Sequence, residues 1–438
     1  MDKRRKYMKV LIFGSGGREH ALAWSISRSP RTKEIVCAPG NGGIGKIARL
    51  VQVSLSDLQA MVEVALAEQP DLVIVGPELP LSLGLVDELK AQGMKVFGPT
   101  KAAAMLECSK SFAKRFLQRH NIPTAKYAVC SSVAEVKKAI ASFQAPIVVK
   151  ADGLAAGKGV VICQTQRAAL DAAQGLFTGV LLGSAPGSGE LQVVIEEFLV
   201  GDEVSFLCLT DGKYVQPLVP AQDHKRIGEG DTGPNTGGMG VYSMDSLLNP
   251  VLQEWVMENV ARPTVKGMAE DGTPFAGVLY IGLMMTSRGP QVLEFNARFG
   301  DPETQAIVMR LESDLLVALE NCAEGKLWGT EFRWKPGASA CVIAASGGYP
   351  GSFKSGFPIT GLDEASLKLG VQVFHSGTTV VDGKICTSGG RVLGVAAAGA
   401  NFTEALDMAY TTMAKINFEG MYYRRDIGHR ALLKQWAK

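Results

Sequence analysis

The sequence predicts an α/β protein whose N-terminal domain, about residues 8–105, is built on a doubly wound parallel sheet. Short apolar segments alternate with helical ones from residue 9 to residue 98, which is typical of a parallel sheet covered by helices on both faces. A chain of 438 residues is also long enough for roughly three domains. The predicted strands are Lys9–Phe13, Glu34–Ala38, Asp71–Gly76 and Lys95–Gly98, and the predicted helices are Arg18–Arg28, Leu55–Ala67 and Leu81–Ala91.

Composition excludes several classes of function. The formal net charge is only +2, which gives no indication of nucleic acid or a membrane surface as partner. No apolar segment reaches the roughly 18 residues of a membrane helix. The basic residues 1–8 precede an apolar segment too short for a secretory signal, and Met8 could be an alternative start. The eight cysteines are scattered without Cys-x-x-Cys pairs, so we expect reduced thiols in a cytoplasmic protein.

A glycine turn, Gly14–His20, joins the first strand to the first helix. The third position of the dinucleotide fingerprint is Glu19, and no acid follows the second strand to hold a ribose, so a dehydrogenase is disfavoured. A glycine turn at a helix N-terminus still suits a phosphate group, and Gly16 and Gly17 are predicted to face a phosphorylated substrate. Glu78 follows a strand at the sheet edge where ligands bind; a solvated loop acid is the alternative.

The middle of the chain, about residues 106–325, contains a glycine-rich loop between two predicted strands. Ala151–Gly159 lies between Pro146–Lys150 and Val160–Cys163. It is not a Walker A loop, but its small residues and its two cations, Lys150 and Lys158, suit backbone N–H groups laid over phosphates. A flexible hairpin is the alternative.

A later strand end offers contacts for a nucleobase. The predicted strand Leu191–Ile195 runs into Glu196, Glu197, Phe198 and Leu199, which offer backbone groups to an adenine edge and an apolar wall to its face. Glu203 lies seven residues after Glu196, within reach of a ribose. Ordinary strand-end chemistry is the alternative.

The segment Gln222–Gly240 is polar and rich in glycine. Loops of this length are usually functional or mobile, so this one is predicted to act as a lid over the substrates. Asp223 and Lys225 are the predicted substrate contacts. His224 is predicted to be a solvated loop histidine.

The stretch Gln291–Glu303 carries the predicted metal site. Val292–Phe295 is predicted as a buried strand after a turn at Gly289–Pro290, so Glu294 and Asn296 share one face. Their oxygen atoms suit a hard ion such as Mg²⁺ and not zinc. Asp301 is then predicted as the N-cap of a helix with Pro302 at its first position. Arg298 lies just before this helix start, which attracts anions. Taken alone, the stretch favours a purely structural strand–loop–helix junction.

The last region, about residues 328–438, is predicted to be a small α+β domain without a catalytic constellation of its own. His375 and His429 are interpreted as structural. The predicted elements between residue 251 and the end are the helices Val251–Ala269 and Phe402–Met413 and the strands Phe275–Met285, Ala338–Ala345, Val371–His375, Gly377–Val381 and Gly390–Ala398.

The motifs also carry a resemblance to a known family. Lys150 with its loop, Glu196–Leu199 and the Glu294-x-Asn296 pair are together similar to the ATP-grasp superfamily. The longer sequence motifs resemble those of the glycinamide ribonucleotide synthetase (phosphoribosylamine–glycine ligase) family of purine biosynthesis, and the resemblance runs from about Met8 to the C-terminus. The segments that carry this resemblance, in order, are Gly14–Leu22, Gly76–Glu78, Lys150–Gly159, Gln222–Arg226, Thr232–Gly240 and Arg298–Gln305.

This resemblance implies central ATP-grasp domains over 106–325, with a mobile subdomain at about 126–198 that covers ATP. It implies ligation of glycine to 5-phosphoribosylamine with ATP as co-substrate, Mg²⁺ or Mn²⁺ as the metal, and a glycyl phosphate intermediate. The implied metal ligands are Glu294 and Asn296. The implied nucleotide-binding residues are Lys110, Lys150, Asp152, Gly153, Gly157, Lys158, Gly159, Glu196, Glu197, Phe198, Leu199 and Glu203.

The resemblance also implies roles at the two other substrates. Arg298 would hold the glycine carboxylate or its acyl phosphate, Asp223 would take the glycine ammonium, and Lys225 is grouped with them as catalytic. The residues implied to face phosphoribosylamine or glycine are Gly16, Gly17, Glu78, Gly300 and Asp301.

The sequence departs from the family pattern in two places, and three alternative functions remain. The predicted strand Phe275–Met285 lacks the additional metal-binding carboxylate of many ATP-grasp enzymes, so the number of ions stays open, and residues 1–7 precede the usual start. The alternatives are an ATP-grasp carboxylase or ligase with another amine or bicarbonate, a dehydrogenase, and a nucleotide-binding regulator without turnover. A monomer or weak homo-oligomer is expected.

Overall fold

The computed structural model describes residues 7–154, 159–179, 191–366 and 368–436 of the chain. Within these ranges the backbone forms four sheets of four or five strands and two separate hairpins. No helix of the described part combines the length and the apolar character needed to cross a bilayer.

A parallel sheet with helices on both faces forms the N-terminal part, as predicted. The strand order is β3-β2-β1-β4-β5, and every pairing is parallel. The strands are β1 (Met8–Gly14), β2 (Thr32–Pro39), β3 (Arg49–Leu50), β4 (Leu72–Val75) and β5 (Val96–Phe97), and the helices are α1 (Gly17–Ser27), α2 (Leu58–Glu68), α3 (Glu78–Leu83) and α4 (Leu85–Ala91).

Two helix boundaries in this sheet have local causes. The Asp57 carboxylate accepts a hydrogen bond from the backbone N–H of Ala60 at 3.0 Å, so α2 begins at Leu58 and not at Leu55. The single helix predicted over Leu81–Ala91 is in fact α3 and α4, which are separated by Gly84 at φ +95°, a left-handed conformation that favours glycine.

A smaller antiparallel sheet follows, in the order β6-β9-β7-β8. Two helices pack on it, and its apolar core is a cluster of its own, separate from the cores of the other sheets. The elements from residue 101 to residue 197 are α5 (Lys101–Cys108), α6 (Lys110–Arg119), β6 (Tyr127–Cys130), α7 (Val133–Ile140), β7 (Ile147–Ala151), β8 (Val160–Cys163), α8 (Gln166–Phe177) and β9 (Val193–Glu197).

A third sheet, β11-β10-β16-β17, is antiparallel and lies next to the N-terminal sheet. The predicted Gly289–Pro290 turn is wrong, because both residues lie inside β17 and the turn comes before them. The elements from residue 202 to residue 323 are β10 (Asp202–Asp211), β11 (Val215–Pro217), β12 (Gln222–Asp223), β13 (Arg226–Gly228), β14 (Thr232–Asn235), β15 (Gly240–Met244), α9 (Pro250–Val256), α10 (Arg262–Glu270), β16 (Ala276–Thr286), β17 (Gly289–Asn296), α11 (Glu303–Arg310) and α12 (Leu315–Ala323).

The C-terminal sheet has the order β12-β15-β18-β22-β19, and helix α14 packs on it. One of its strands, β12, lies in the predicted loop Gln222–Gly240, and β15 begins at the last residue of that loop and pairs with β18 along its whole length. The remaining elements are β18 (Ala338–Ala345), α13 (Leu362–Ser366), β19 (Val371–His375), β20 (Thr378–Val381), β21 (Lys384–Thr387), β22 (Arg391–Gly399), α14 (Phe402–Met413) and α15 (His429–Trp436).

The side chains of β1 point alternately to the two faces of the N-terminal sheet, and each set packs against another part of the molecule. Leu11 and Phe13 enter the apolar cluster shared with α6 and the third sheet. Val10 and Ile12 point to the opposite face and enter the cluster shared with α11, α12 and the C-terminal sheet. These shared cores fix the carboxyl edge of the parallel sheet beside the ends of β10 and β17.

Candidate active site

A cleft of about 670 Å³ lies where the four sheets meet. It brings together sixteen of the predicted site residues, most of them charged or at the end of β9. The predicted residues that line it are Glu78, Lys110, Lys150, Gly153, Gly159, Glu196, Glu197, Phe198, Leu199, Glu203, Asp223, Lys225, Glu294, Asn296, Arg298 and Asp301.

A buried group of two lysines and one glutamate forms one wall of the cleft. Glu196 is paired with Lys150 and with Lys114, each at 2.9 Å, and its side chain is only 2% exposed. Burial opposes ionisation of Glu196, but the two lysines outweigh it and lower the pKa of this carboxyl. Burial lowers the pKa of Lys114 to about 8.

Lys114 is a site residue that the sequence reading missed. It lies one helical turn after Lys110 on α6, a spacing that places both side chains on one face. Its ammonium also donates to the Thr124 hydroxyl at 2.7 Å, so the group is held on two sides. The i, i+4 spacing was the signal that could have identified it.

Lys110 reaches the glycine-rich loop, and Asp152 fixes the start of that loop. The Lys110 ammonium donates to the backbone oxygen of Gly153 at 2.9 Å. Asp152 does not line the cleft; it accepts hydrogen bonds from the Ser111 N–H at 3.1 Å and from the Ser111 hydroxyl at 2.6 Å. Gly157 and Lys158 lie outside the described residues.

The end of β9 forms an apolar wall with charged edges. Leu199 is buried, whereas Phe198 and Val200 are exposed. The Glu197 carboxylate accepts from the Lys126 N–H at 2.9 Å and from Arg288 at 2.7 Å. The side chain of Glu197 is therefore engaged with protein groups.

Lys225 lies between two carboxylates at the centre of the cleft. It pairs with Glu203 and lies 3.5 Å from Glu294. Lys225 is the main cause that lowers the pKa of Glu294 to about 2, with Lys150 and Lys110 adding to the effect against burial. Glu294 is thus an anion at neutral pH, as a ligand of a hard cation must be.

Arg298 is held among acidic side chains beside Asn296. It pairs with Glu107 at 3.0 Å and with Glu78 at 3.3 Å, and it lies 3.5 Å from the side-chain oxygen of Asn296. Burial opposes the ionisation of Glu78, but Arg298 and Arg18 outweigh it and lower its pKa to about 2. Glu107, on α5, was missed because nothing in its own neighbourhood in the sequence indicates a ligand.

A second group of buried polar side chains surrounds Asp223. One Asp223 oxygen is buried without a hydrogen-bond partner among the described residues. Burial and the nearby Glu303 carboxylate raise the pKa of Asp223 well above its usual value. Glu303 itself accepts hydrogen bonds from the Ser205 and Tyr280 hydroxyls, both at 3.0 Å. Such an unpaired buried oxygen suits a cationic ligand.

Comparison with known proteins identifies the family. Residues 8–107, 108–304 and 339–430 match the N domain, the ATP-grasp (A) domain and the C domain of phosphoribosylglycinamide synthetase. The chain is 47% identical over 430 residues to a phosphoribosylamine–glycine ligase from Brucella melitensis, which covers 98% of this chain and 100% of the relative. The chain belongs to the phosphoribosylglycinamide synthetase family.

Other relatives and solved structures agree with this assignment. A phosphoribosylamine–glycine ligase from Mesorhizobium japonicum is 48% identical over 433 residues, with 98% of this chain and 100% of that one covered. The crystal structure of the Thermotoga maritima phosphoribosylamine–glycine ligase has 34% identity and a TM-score of 0.83 over 95% of this chain and 99% of that chain. A biotin carboxylase domain from Hydrogenobacter thermophilus shares the fold alone, at 16% identity and TM-score 0.72 over 95% and 92% of the two chains. The predicted family and fold class are confirmed.

The glycine turn of this family member is packed against protein atoms. A Cβ atom on Gly16 would lie 3.2 Å from an Asp301 oxygen, and one on Gly17 would lie 2.4 Å from Gln305. The Gly16 N–H donates to the Glu19 carboxylate at 2.6 Å. Gly16 and Gly17 therefore do not line the cleft, and a carboxylate already occupies this helix N-terminus.

The predicted N-cap role of Asp301 is wrong. Pro302 occupies the N-cap position of α11 without a side-chain cap. The Asp301 carboxylate instead accepts from the Arg18 N–H at 3.3 Å and from Gln305 at 2.9 Å. Gly300 does not line the cleft either, since a Cβ there would lie 2.3 Å from Glu303.

The prediction that His224 is solvated is also wrong. The ring is buried, and its Nε2 atom accepts a hydrogen bond from the Gly428 N–H at 2.9 Å. Its Nδ1 atom lies 3.3 Å from the Gly240 oxygen. His224 thus ties the segment before β13 to the C-terminal domain.

Proposed function

We propose that this chain ligates glycine to 5-phosphoribosylamine with ATP, giving glycinamide ribonucleotide, ADP and phosphate, a step of purine biosynthesis. The observation that carries the proposal is the match to phosphoribosylamine–glycine ligases along 98% of the chain at 47–48% identity. The cleft supports it, because cations and a carboxylate–amide pair converge there as phosphoryl transfer requires.

ATP is the co-substrate, and its phosphates lie against Lys110, Lys150 and the loop that contains Gly153 and Gly159. The adenine lies against the wall formed by Glu196, Glu197, Phe198 and Leu199, and Glu203 binds the ribose. Pairing of Glu196 with Lys114 supports this arrangement, because Glu196 keeps a counter-ion when Lys150 turns to a phosphate. The small sheet with its separate core moves as a cover over the nucleotide.

A divalent cation, Mg²⁺ with Mn²⁺ as a substitute, is held by Glu294 and Asn296. Their hard oxygen atoms and the ionised state of Glu294 fit such an ion. Among the described residues no three His, Cys, Asp or Glu side chains group as a metal site; the phosphates of ATP would add oxygen ligands of the kind such a cation takes. When bound, the cation neutralises charge on these phosphates.

Glycine binds between Asp223 and Arg298. The buried, unpaired oxygen of Asp223 takes the ammonium, and the Arg298 guanidinium takes the carboxylate. The glycine carboxylate attacks the γ-phosphorus, ADP leaves, and glycyl phosphate forms. The amine of phosphoribosylamine then attacks the glycyl carbon, phosphate leaves with the former carboxylate oxygen, and the nitrogen loses a proton. Lys225 and Arg298 stabilise the negative charge on the transferred group.

Phosphoribosylamine enters from the carboxyl edge of the parallel sheet, where Glu78 and Asp301 line the cleft. Behind this wall lie Gly16, Gly17 and Gly300, whose role is to let the surrounding side chains pack closely, since a Cβ atom at any of them would meet its neighbours. The protein acts in the cytoplasm as a monomer or weak homo-oligomer. The eight free cysteines, seven of them buried, support a reducing compartment.

The test is release of ADP by the purified protein with ATP, Mg²⁺ and phosphoribosylamine generated in situ, with and without glycine. We expect ADP release that requires both glycine and the amine. Release that is independent of glycine would assign another acid substrate, and the absence of release under every condition would leave a nucleotide-binding protein without turnover.

A further inference from the structure

Arg391, the first residue of β22, reaches from the C-terminal domain into the wall of the cleft. Its Nη1 atom donates to the backbone oxygens of Gly237 at 2.5 Å and of Asp301 at 2.8 Å. Its Nη2 atom lies 3.4 Å from the Asp301 carboxylate. One guanidinium therefore joins two segments that line the cleft and are separated by more than sixty residues.

The C-terminal domain holds Gly237 through both its backbone N–H and its backbone oxygen. Arg391 binds its oxygen, and the Gly237 N–H donates to the Tyr349 hydroxyl at 3.0 Å. The turn is also tied to the chain before it, since the Thr236 hydroxyl donates to the Lys225 oxygen at 2.9 Å. Thr236 and Gly237 both line the cleft.

This turn packs directly on Asp223, the residue proposed for the glycine ammonium. A Cβ atom on Gly238 would lie 2.7 Å from an Asp223 oxygen, and that same oxygen is the buried one without a partner. A shift of the turn by a fraction of an ångström therefore changes the space and the field at Asp223. The side chain of Arg391 does not line the cleft itself, so any influence on substrate passes through the turn and Asp301.

We propose that Arg391, assisted by Tyr349, is a positioning residue that holds the 236–238 turn against Asp223 and thereby sets the affinity for the amino-acid substrate. This inference rests on the proposed function of the site. It couples the C-terminal domain to glycine recognition. A planar guanidinium can serve several acceptors at once, whereas a lysine ammonium has no fixed fork.

The test compares Arg391→Met, Arg391→Lys and Tyr349→Phe with the matched control Arg333→Met, which changes an exposed arginine. The assay is ADP release, and the Michaelis constants for glycine and ATP are measured separately with the amine saturating. We expect Arg391→Met to raise the glycine constant roughly tenfold or more, with the ATP constant within about twofold, because a charged donor to several acceptors is lost. Arg391→Lys recovers part of this loss, Tyr349→Phe shows a smaller rise in the same direction, and the control is unchanged.

Two results would overturn the proposal. One is an unchanged glycine constant in a folded Arg391→Met variant. The other is an equal rise of the glycine and ATP constants, which is the outcome of a general loosening of the domain. If Arg391→Met does not fold, the same two results are judged on Tyr349→Phe. That variant removes only one hydroxyl and is therefore expected to fold. Failure of the proposed function has a different signature, since the unaltered protein would then release ADP without regard to glycine or would release no ADP at all.

Discussion

Replacement of Lys114 by methionine tests the charge balance of the nucleotide site. Lys114 is 3% exposed and lies 2.9 Å from the Glu196 carboxylate, which is itself 2% exposed. The variant leaves Glu196 with Lys150 as its remaining ion-pair partner in the group. Because Lys150 still compensates the Glu196 charge, we expect a loss in free energy of unfolding below that of an uncompensated buried charge, about 1.5–3 kcal/mol, the contribution of a hydrogen bond to a charged group.

The Lys114→Met variant is also predicted to weaken the binding of ATP. Lys150 must then neutralise Glu196 alone and is less available to an ATP phosphate, so the Michaelis constant for ATP rises about tenfold or more. The constant for glycine changes little. ADP release gives both constants, and urea denaturation gives the free energy of unfolding. The matched control is Lys138→Met, because Lys138 is an exposed lysine on α7, a helix that packs on the small sheet.

A double variant separates the ion pair from mere packing. Lys114→Met with Glu196→Gln removes both partners of one ion pair, so the double variant should lose less free energy of unfolding than the sum of the two single losses. The reasoning is refuted if Lys114→Met keeps both its ATP constant and its free energy of unfolding within experimental error of the unaltered protein. It is also refuted if the double variant is destabilised by the full sum of the two single effects.

Three further predictions concern the cation, glycine and acid stability. Glu294→Gln keeps the size of the side chain but removes the anion, so we expect turnover to fall at least 100-fold with an unchanged melting temperature; near-normal activity at saturating Mg²⁺ would contradict the assignment. Asp223→Asn should raise the glycine constant at least tenfold in ADP-release assays, and an unchanged constant would remove Asp223 from the glycine site. Burial lowers the pKa of His224 to about 4, below the usual 6.5, so its contribution to stability is complete above pH 6.5 and is lost as the pH falls toward 4. Urea denaturation should therefore show that the free energy of unfolding falls between pH 7 and pH 5 by about 2 kcal/mol less in His224→Gln than in the unaltered protein. Equal falls in the two proteins would show that His224 is not buried in its neutral form.

Local patterns were sufficient to predict the elements that position the site. Strand β1 and helix α1 were predicted within a residue or two because their apolar periodicity and glycine turn are local signals. Helix α14 was predicted with both ends correct, and its N-cap Asn401 accepts a hydrogen bond from the Glu404 N–H at 3.0 Å. The charged residues of the cleft were predicted largely from the motifs that carry the family resemblance.

The wrong predictions for His224 and Asp301 share a physical cause, which is contact over long distances in the sequence. His224 is buried because Gly428, 204 positions away, donates to its ring. The Asp301 carboxylate accepts a hydrogen bond from the backbone N–H of Arg18, 283 positions earlier, and does not cap its own helix. Arg391 was missed for the same reason, because its acceptors lie 90 and 154 positions away. No local pattern carries such information.

The most direct test of the proposed ligation follows an oxygen atom from glycine. Glycine labelled with ¹⁸O in its carboxylate is incubated with the protein, ATP, Mg²⁺ and phosphoribosylamine generated in situ, and the inorganic phosphate is analysed by mass spectrometry. Attack of the carboxylate on the γ-phosphorus predicts one ¹⁸O atom in each phosphate released, in equal amounts with ADP and glycinamide ribonucleotide. Phosphate without label, released together with ADP, would contradict the account.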